Sequence, residues 1–285
     1  MKMDFLGRDE APLTQEEWEQ IDEAVVKVAK ENLVCRRFVP VMGPIGPGHQ
    51  MVSYDVIYGM EPGVCEIKPG QEYETCEPVR TGVRKHIPIP TIYKDFVISW
   101  RDLEYFRQFN MPIDTSNAVA AAVATAVAED TLILLGNKNL GLEGLMTAEG
   151  VNSMSMSDWS KVGNAFSDVI EGISKLVEQG FYGNYYLVVN PKQYFQLNRM
   201  HDNTGLLEIE QIKKVVKDVL QTPIIPDNRA LLVSAGPQNF DLVVAQDVSV
   251  AYVESSNMNH LFRVMEMVAL RIKRPGSILV IGKGK

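Results

Sequence analysis

The longest apolar run of the chain, SNAVAAAVATAVAEDTLILLG at positions 116–136, limits what the chain can fold into. It has no charged side chain between Asp114 and Glu129, and it consists mostly of alanine and valine. A membrane-spanning helix needs about 20 predominantly apolar residues. Here Glu129 and Asp130 stand side by side before the run ends, and two carboxylates in hydrocarbon would cost several kcal/mol. The run therefore predicts a long helix of a soluble protein rather than a membrane span.

The ends and the composition of this helix indicate how it is used. Asp114 or Thr115 can cap its N-terminus, and Gly136 can end it. Alanine has the highest helix propensity, and its small side chain lets other backbones approach the helix closely. We therefore expect a slender central helix with other elements packed against it.

Composition narrows the class of protein. The 285 residues suffice for one large or two small domains, and a hydrophobic fraction of 46% is ordinary for a soluble protein. The net charge of −8 argues against a nucleic-acid-binding surface. The opening residues carry early acids and lack the apolar core of a signal peptide.

The three cysteines, Cys35, Cys65 and Cys76, form no CxxC motif, and their odd number fits a reducing cytoplasm. Cys65 and Cys76 could pair across an extended loop, although two incidental thiols are the favoured interpretation. Cys35 lies at the C-terminal end of a predicted helix, where the helix dipole does not activate a thiol. We expect it to be a small buried residue.

The first predicted element is an amphipathic helix. Thr14 and Glu17 have the spacing of a capping box. One face then carries an apolar stripe at helical spacing, which consists of Trp18, Ile21, Val25, Val28 and Leu33. The helix should end near residues 35–37, before a turn region rich in glycine and proline.

Residues 51–90 contain short strand-like pieces that proline and glycine interrupt, and their apolar content is too thin for an independent core. Such a segment is either a disordered insertion or a hairpin arm ordered against something else. The segment TIYKDFVISW at 91–100 then alternates like a half-buried strand, and a short helical segment follows it.

The second half of the chain predicts a compact α/β unit. Its expected elements, in order, are a helix at 164–180, a buried strand at 185–190, a short helix from Pro191, a polar turn at 200–205, a helix at 206–220, strands in ALLVS and FDLVVAQDVSVAYV, and a final antiparallel pair around the Pro275–Gly276 turn.

Motifs that carry chemistry are missing from the sequence. The four histidines are far apart, and there is no HExxH, GxSxG, phosphate-loop or EF-hand pattern. Trp100 could stack on a planar ligand, although a tryptophan that ends a strand is more often a core residue. Glu208 and Glu210 are two positions apart on a helix and do not share a face. The residues therefore favour a self-assembling structural protein over an enzyme.

Several blocks of the sequence, taken together, resemble the family 1 encapsulins. The blocks are DFLGRDEAPLTQEEWEQIDEAV, RRFVPVMGPIGPG, IPIPTIYKDFVISWRDLE, LGLEGLMTAEG, LEIEQIKKVV and MNHLFRVMEMVALRIKRP, and they cover essentially the whole chain. Encapsulins are shell proteins with the α+β fold of HK97-type phage capsid proteins. The amphipathic first helix distinguishes encapsulins from the phage proteins, which do not usually begin with one.

The resemblance implies a division of the chain. It assigns an N-terminal interior helix, a peripheral domain, an extension loop that pairs with a neighbouring subunit, and an axial domain whose tips meet at the symmetry axes. The N-terminal interior helix would be residues 1–38, and the peripheral domain would be residues 39–50, 91–136 and 231–285. The extension loop would be residues 51–90, and the axial domain would be residues 137–230.

The resemblance also implies functional residues. A groove for the C-terminal targeting peptide of a cargo protein would be formed by Val25, Val28, Leu33, Arg36, Asp247 and Val248. Val25, Val28 and Leu33 could equally be core contacts, and Arg36 could simply pair with Asp247. His201, Asp202 and Asn203 would line a pore, and Trp100 is a weak flavin candidate; no catalytic, cofactor or metal site is implied.

The implied function is an icosahedral shell of sixty subunits or a multiple, which encloses cargo in the cytoplasm. The cargo would be a ferritin-like protein, for iron storage, or a peroxidase. The long arm favours a larger shell, of triangulation number three over one or four. The alternatives are a phage or prophage major capsid protein and, less favoured, a peptidase or bacteriocin. Neither a nucleic acid nor a membrane is expected as a partner.

Overall fold

The computed structural model describes residues 5–57, 82–200 and 205–282. The helices in these ranges are α1 (Gln15–Asn32), α2 (Trp100–Gln108), α3 (Ser116–Leu135), α4 (Asn164–Glu178), α5 (Pro191–Leu197) and α6 (Glu208–Ile212). The strands are β1 (Val41–Met42), β2 (Met51–Asp55), β3 (Arg84–Pro88), β4 (Thr91–Ile98), β5 (Gly136–Asn137), β6 (Leu142–Glu143), β7 (Asn152–Met154), β8 (Tyr185–Val189), β9 (Asp218–Gln221), β10 (Ala230–Ser234), β11 (Phe240–Ser256), β12 (Asn259–Ile272) and β13 (Ile278–Ile281). Short 3-10 helices include Cys35–Arg37 and Pro275–Ser277.

The chain divides into two compact units. The first contains Met1–Val52, Pro88–Gly144 and Leu242–Leu270, and the second contains Ser53–Ile87, Leu145–Asp241 and Arg271–Lys285. These boundaries differ from the division that the resemblance implied, because residues 231–241 and 271–285 fall in the second unit. The physical reason is strand pairing: β10 and β13 hydrogen-bond into the same sheet as β8.

The first unit is built around a four-stranded sheet with the order β1-β11-β12-β4. Its core contains Trp18 of α1, Phe96 of β4 and Phe262 of β12. Phe96 and Phe262 are directly opposite across the antiparallel β4–β12 pair and stack with ring centroids 5.4 Å apart. Trp18 contacts Phe262 edge-on at 5.6 Å, one of the arrangements that aromatic pairs prefer. The amphipathic face predicted for the first helix therefore covers the sheet.

Helix α3 is the predicted central helix, and it packs against α1 and β4. Among the described residues it alone is long and apolar enough to cross a membrane by composition. Its carboxylates Glu129 and Asp130 are buried within the unit. Asp114 accepts hydrogen bonds from the backbone and hydroxyl of Ser116, whereas Thr115 makes no side-chain cap, and the helix ends at Gly136 as predicted.

The capping box predicted for α1 is present. The backbone of Glu17 donates to Thr14 Oγ1 at 3.3 Å, and the backbone of Thr14 donates to Glu17 Oε2 at 2.7 Å. These bonds satisfy two backbone donors that a helix start otherwise leaves without partners. The helix ends at Asn32, and the 3-10 helix Cys35–Arg37 follows.

The second unit contains a five-stranded sheet with the order β7-β13-β10-β8-β9. The predicted final hairpin around Pro275–Gly276 is wrong, because β12 and β13 lie in different sheets. β13 pairs with β10 and β7, and the proline-containing turn is a 3-10 helix that redirects the chain. Alternation along the sequence does not reveal which strand is the partner.

The predicted helix at 206–220 is also largely wrong. Only α6 is helical, and β9 pairs in parallel with β8. Val219 and Leu220 are buried in this strand, so a sheet contact distant in sequence replaces the last turns of a helix. Glu208 lies on a helix, as predicted, and it is buried and accepts backbone hydrogen bonds from Gly163 and Phe166, both at 3.0 Å.

Strands β2 and β3 form a two-stranded sheet at the base of the predicted arm. The backbones of Val56 and Val83 continue this pairing at 3.0 Å, and Arg84 pairs with Asp55 across it. The ends of the arm are therefore joined as a hairpin stem. Residues 58–81, including Cys65 and Cys76, lie outside the described residues.

Gly144 lies where two backbone segments touch. A Cβ atom at this position would lie 2.4 Å from the backbone nitrogen of Gly136 and 2.6 Å from the carbonyl of Leu134. Both contacts are with main-chain atoms of the α3–β5 junction, which cannot move independently of the helix. Gly48, in contrast, has open space around its Cβ position.

We expect Gly144→Ala to lower the free energy of unfolding by about 1–3 kcal/mol or more, because it overpacks a backbone contact. The matched change Gly48→Ala should leave the stability within about 0.5 kcal/mol. Denaturant unfolding of the two purified variants measures both values. Equal stability of the two variants would contradict the close packing at the α3–β5 junction.

Candidate functional site

The predicted groove residues lie in the first unit, at the end of α1 and on β11. Val25 and Leu33 are 1% and 4% exposed and belong to its core. Val28 and Val248 are half-buried, and Val248 packs against Ala29 and Leu33. The plain core-contact interpretation therefore describes Val25 and Leu33, while Val28 and Val248 retain accessible surface.

Arg36 is the centre of this region. Its Nε donates to the Glu129 carboxylate at 2.8 and 3.1 Å, and its Nη2 donates to the same carboxylate. Nη2 also donates to Glu266 Oε2 at 2.9 Å, and Nη1 donates to Asp247 Oδ1 at 2.7 Å. One guanidinium thus joins the 3-10 helix Cys35–Arg37 to α3, β11 and β12.

The predicted pair of Arg36 with Asp247 is present, but it is the outermost of these contacts. The side chain of Asp247 is 63% exposed, whereas Glu129 and Glu266 are fully buried. Exposed ion pairs contribute little to stability, whereas breaking a buried pair leaves an uncompensated charge. The buried carboxylates therefore dominate the energetics of Arg36.

Asp130 holds the same segment through its backbone. Its two carboxylate oxygens accept hydrogen bonds from the backbone nitrogens of Val34 and Cys35, each at 2.9 Å. Burial raises the pKa of Asp130 to about 6, although the two backbone donors oppose this shift. Burial and then Asp130 raise the pKa of the Cys35 thiol well above its usual range. Cys35 is therefore an inert buried thiol, as predicted.

Glu266 is the least satisfied group of the region. Its Oε2 contacts Arg36, but among the described residues its buried Oε1 has no hydrogen-bond partner. Burial and then the neighbouring Glu129 raise the pKa of Glu266 far above its usual range. A proton on Glu266 avoids placing two buried carboxylates beside one cation.

Sequence reasoning missed three residues of this site: Glu129, Asp130 and Glu266. Signals for them were present. Glu129 and Asp130 are the adjacent acids in the otherwise apolar α3, and Glu266 is a lone acid in the apolar strand segment VMEMVAL. An acid within an apolar element needs a partner. Arg36 is the partner of Glu129 and Glu266, and the backbone nitrogens of Val34 and Cys35 are the partners of Asp130.

Other predicted residues lie away from this site. Trp100 begins α2 and is 42% exposed, so it is not a core residue, which was the favoured interpretation of its position at the end of a strand. His201, Asp202 and Asn203 lie outside the described residues, and their flanks Met200 and Leu207 pair as an isolated bridge.

One serine–histidine contact occurs in the described part of the chain. Ser255 Oγ lies 2.7 Å from His260 Nδ1 and 2.8 Å from the hydroxyl of Tyr252, in the exposed β11–β12 hairpin. Within the described ranges no carboxylate contacts His260, so the triad of a serine hydrolase is incomplete. The described residues also contain no group of three or more metal-ligating side chains.

The fold is that of a capsid protein. The chain is similar to the crystal structure of the virus-like particle from Pyrococcus furiosus, with a TM-score of 0.74 and 22% identity over 93% of this chain and 99% of that one. It is also similar to the capsid of Myoviridae phage XM1, with a TM-score of 0.62 and 14% identity over 87% and 91%. These similarities confirm the predicted HK97-like fold.

Sequence comparison identifies the family. The family described as encapsulating protein for peroxidase matches residues 3–269. The chain is 44% identical to the type 1 encapsulin shell protein EncA of Myxococcus xanthus, over 98% of this chain and 96% of that protein. The chain therefore belongs to the type 1 encapsulin shell family, as the resemblance predicted.

Two further relatives carry additional domains. The diheme-cytochrome-encapsulin shell fusion protein of Kuenenia stuttgartiensis is 37% identical over 95% of this chain and 74% of that protein. The ferritin-like-encapsulin shell fusion protein of Pyrococcus furiosus is 24% identical over 71% and 55%. Both names join a shell chain to a redox or ferritin-like domain.

Removing the guanidinium tests the energetics of the site. Arg36→Ala would leave Glu129 and Glu266 buried without a cation, and we expect it to lower the free energy of unfolding by about 3–5 kcal/mol. The control Arg37→Ala removes an exposed guanidinium that donates to the backbone of Glu31, so its cost should be about 0.5 kcal/mol. Denaturant unfolding followed by tryptophan fluorescence measures both; similar values would contradict the anchoring role of Arg36.

Proposed function

We propose that this chain is the shell subunit of an encapsulin nanocompartment. Many copies close into an icosahedral shell of sixty subunits or a multiple, and triangulation number three is favoured over one or four. The observation that carries the proposal is the near full-length similarity to a type 1 encapsulin shell protein in a chain with a capsid fold. The relatives are structural shell proteins, which supports a non-enzymatic role, and the proposed location is the cytoplasm.

Assembly is directly measurable. The purified chain should elute from a sizing column as a particle of several million daltons, and negative-stain electron microscopy should show closed round shells. The particle diameter then determines the subunit number. Protein that stays monomeric under conditions in which it is folded would contradict the shell function.

A phage or prophage capsid protein is the alternative function. The similarity to the phage capsid supports the fold alone, because the identity is only 14%. The higher identity to encapsulin shells and the α1 helix packed on the sheet both favour the nanocompartment. The proposed partners therefore include neither a nucleic acid nor a membrane.

The proposed cargo is a protein that binds through a C-terminal targeting peptide. The description of the family names a peroxidase, and one relative is fused to a ferritin-like domain, so both cargo classes have support. Iron storage is the proposal for a ferritin-like cargo. Trp100 is exposed but has no further feature that supports flavin binding.

We propose different roles for the six groove residues. We define the docking surface as Val28, Val248 and Asp247, the members with accessible side chains. Val25 and Leu33 belong to the core that supports this surface, and Arg36 holds the adjoining segment through its ion pair with the buried Glu129. Half-buried valines and an exposed carboxylate suit a short apolar peptide that carries a basic residue.

Placing a charge on this surface tests it. We expect Val248→Asp to assemble into normal shells that no longer capture a reporter protein with the targeting peptide of the cargo, because a peptide would have to bury the new carboxylate. The control Val253→Asp alters an exposed valine of the same strand and should keep capture. Co-purification of the reporter with the shells measures capture.

If Val248→Asp does not fold, Val28→Asp with the control Val26→Asp repeats the test on α1, where Val26 is exposed. Capture that survives the Val248 or the Val28 change in assembled shells would contradict the docking surface. Loss of capture in the control variants as well would contradict its location.

Two further proposals follow from the family. Residues 51–90 form an extension loop that pairs with a neighbouring subunit, which the hairpin stem of β2 and β3 supports. His201, Asp202 and Asn203 line a pore, which the bridge between the flanking residues Met200 and Leu207 supports. The axial and peripheral domains are likewise proposed from the family.

A further inference from the structure

Arg36, Glu129, Asp247 and Glu266 form a charge cluster in which one cation faces three carboxylates. The charges come from four separate elements: the 3-10 helix Cys35–Arg37, α3, β11 and β12. Glu129 alone receives contacts from two nitrogens of the guanidinium. The cluster therefore has too little positive charge for all of its acids to be ionised.

The surroundings of the cluster supply little compensation. Lys30 of α1 interacts electrostatically with the exposed Asp247, and Asp130 of α3 adds another acid, whose oxygens accept hydrogen bonds from the backbones of Val34 and Cys35. On β4 the residue opposite Glu266 is Ile92, which cannot titrate. An ionised Glu266 would hence carry buried negative charge with one oxygen lacking a partner in the described structure.

The neutral form of Glu266 resolves this conflict. A protonated carboxyl keeps Oε2 as an acceptor for Arg36 and removes the repulsion with Glu129. Burial and the Glu129 charge accordingly raise the pKa of Glu266 far above its usual range. A pKa that is higher in the folded than in the unfolded chain favours folding at low pH, and this contribution is lost as the pH rises through the folded value.

The charge cluster holds residues 33–37, and this segment supports the docking surface. Residues 33–37 are attached through Arg36, through the Asp130 bonds to Val34 and Cys35, and through the packing of Leu33 against Val248. An ionised Glu266 repels Glu129 across the guanidinium and adds buried negative charge, and both costs fall when the cluster opens to water. Opening moves residues 33–37 away, and Val248 then loses its packing against Leu33.

We propose that a proton on Glu266 acts as a pH-sensitive lock on residues 33–37. While the proton is bound, the segment stays on α3 and β12. Loss of the proton at alkaline pH loosens the segment and releases a docked peptide. The first half of this proposal concerns the chain itself. Only the release of peptide rests on the docking surface proposed above. Glu266 is a positioning residue that acts through Arg36 and does not touch the peptide.

Amide hydrogen exchange of assembled shells tests the lock without cargo. Wild type and Glu266→Gln are compared at the same pH, so the chemical exchange rate cancels between them. From about pH 7 to about pH 9.5, protection of the amides at 33–39 in wild type should fall about tenfold relative to the Gln variant. The control Glu254→Gln removes an exposed acid of β11 and should behave like wild type.

The same shells loaded with the peptide-tagged reporter test the second half. Wild-type shells should release the reporter between those pH values, and Glu266→Gln shells should retain it. An equal loss of protection in wild type and Glu266→Gln would overturn the lock. A Glu266→Gln chain that fails to fold would also overturn it, because glutamine has the shape of the neutral acid.

The two proposals fail in different ways. Exchange that follows the expected pattern while the reporter stays bound would keep the lock and contradict the docking surface. Reporter release that is identical in all three shells would contradict the coupling between the lock and the peptide.

Discussion

The first unit depends on the buried contact between Arg36 and the carboxylates of Glu129 and Glu266. The guanidinium is the only side chain of the described structure that bonds both acids, and it does so from a short segment just after α1. Transferring charged groups from water into the protein interior costs free energy, so these groups are stable there only while they remain paired. Arg36 therefore determines how the N-terminal helix, the central helix α3 and the sheet are arranged in this unit.

This contact explains the unusual sequence of α3. A thin, alanine-rich helix allows α1 and β4 to approach closely, and it carries few side chains that would fix its rotation. Glu129 and Asp130 provide that specificity, since Glu129 bonds Arg36 and Asp130 binds the backbone of Val34 and Cys35. The two acids that exclude a membrane span are thus the ones that orient the helix in its unit.

Local patterns in the sequence predict much of this fold. The capping box and stripe of α1, the central helix that ends at Gly136 and the alternation of β4 depend on neighbours in sequence, and all three are confirmed. The pairing of β13 with β7 and β10, and the strand β9 at the end of a predicted helix, depend on contacts that are distant in sequence. The predictions for those two parts of the chain were therefore wrong. The ion pairs of Glu266 were missed for the same reason, because a single acid in an apolar strand does not indicate which cation it meets.

The resemblance to encapsulins supplied the function that local patterns could not, since a shell subunit needs no catalytic motif. It named six groove residues as equals, and the geometry divides them into accessible, core and anchoring positions. Such a division requires knowledge of burial and contacts, which the sequence blocks alone do not give.

The Arg36 contact is proposed to support a peptide-binding surface on the inner wall of a closed shell. The most direct measurement is a cryo-electron microscopy map of shells assembled around cargo at neutral pH. The account predicts additional density against Val28 and Val248 on the inner wall, with Arg36 joined to both Glu129 and Glu266. Peptide density at another position, or an Arg36 side chain turned away from the two acids, would contradict it.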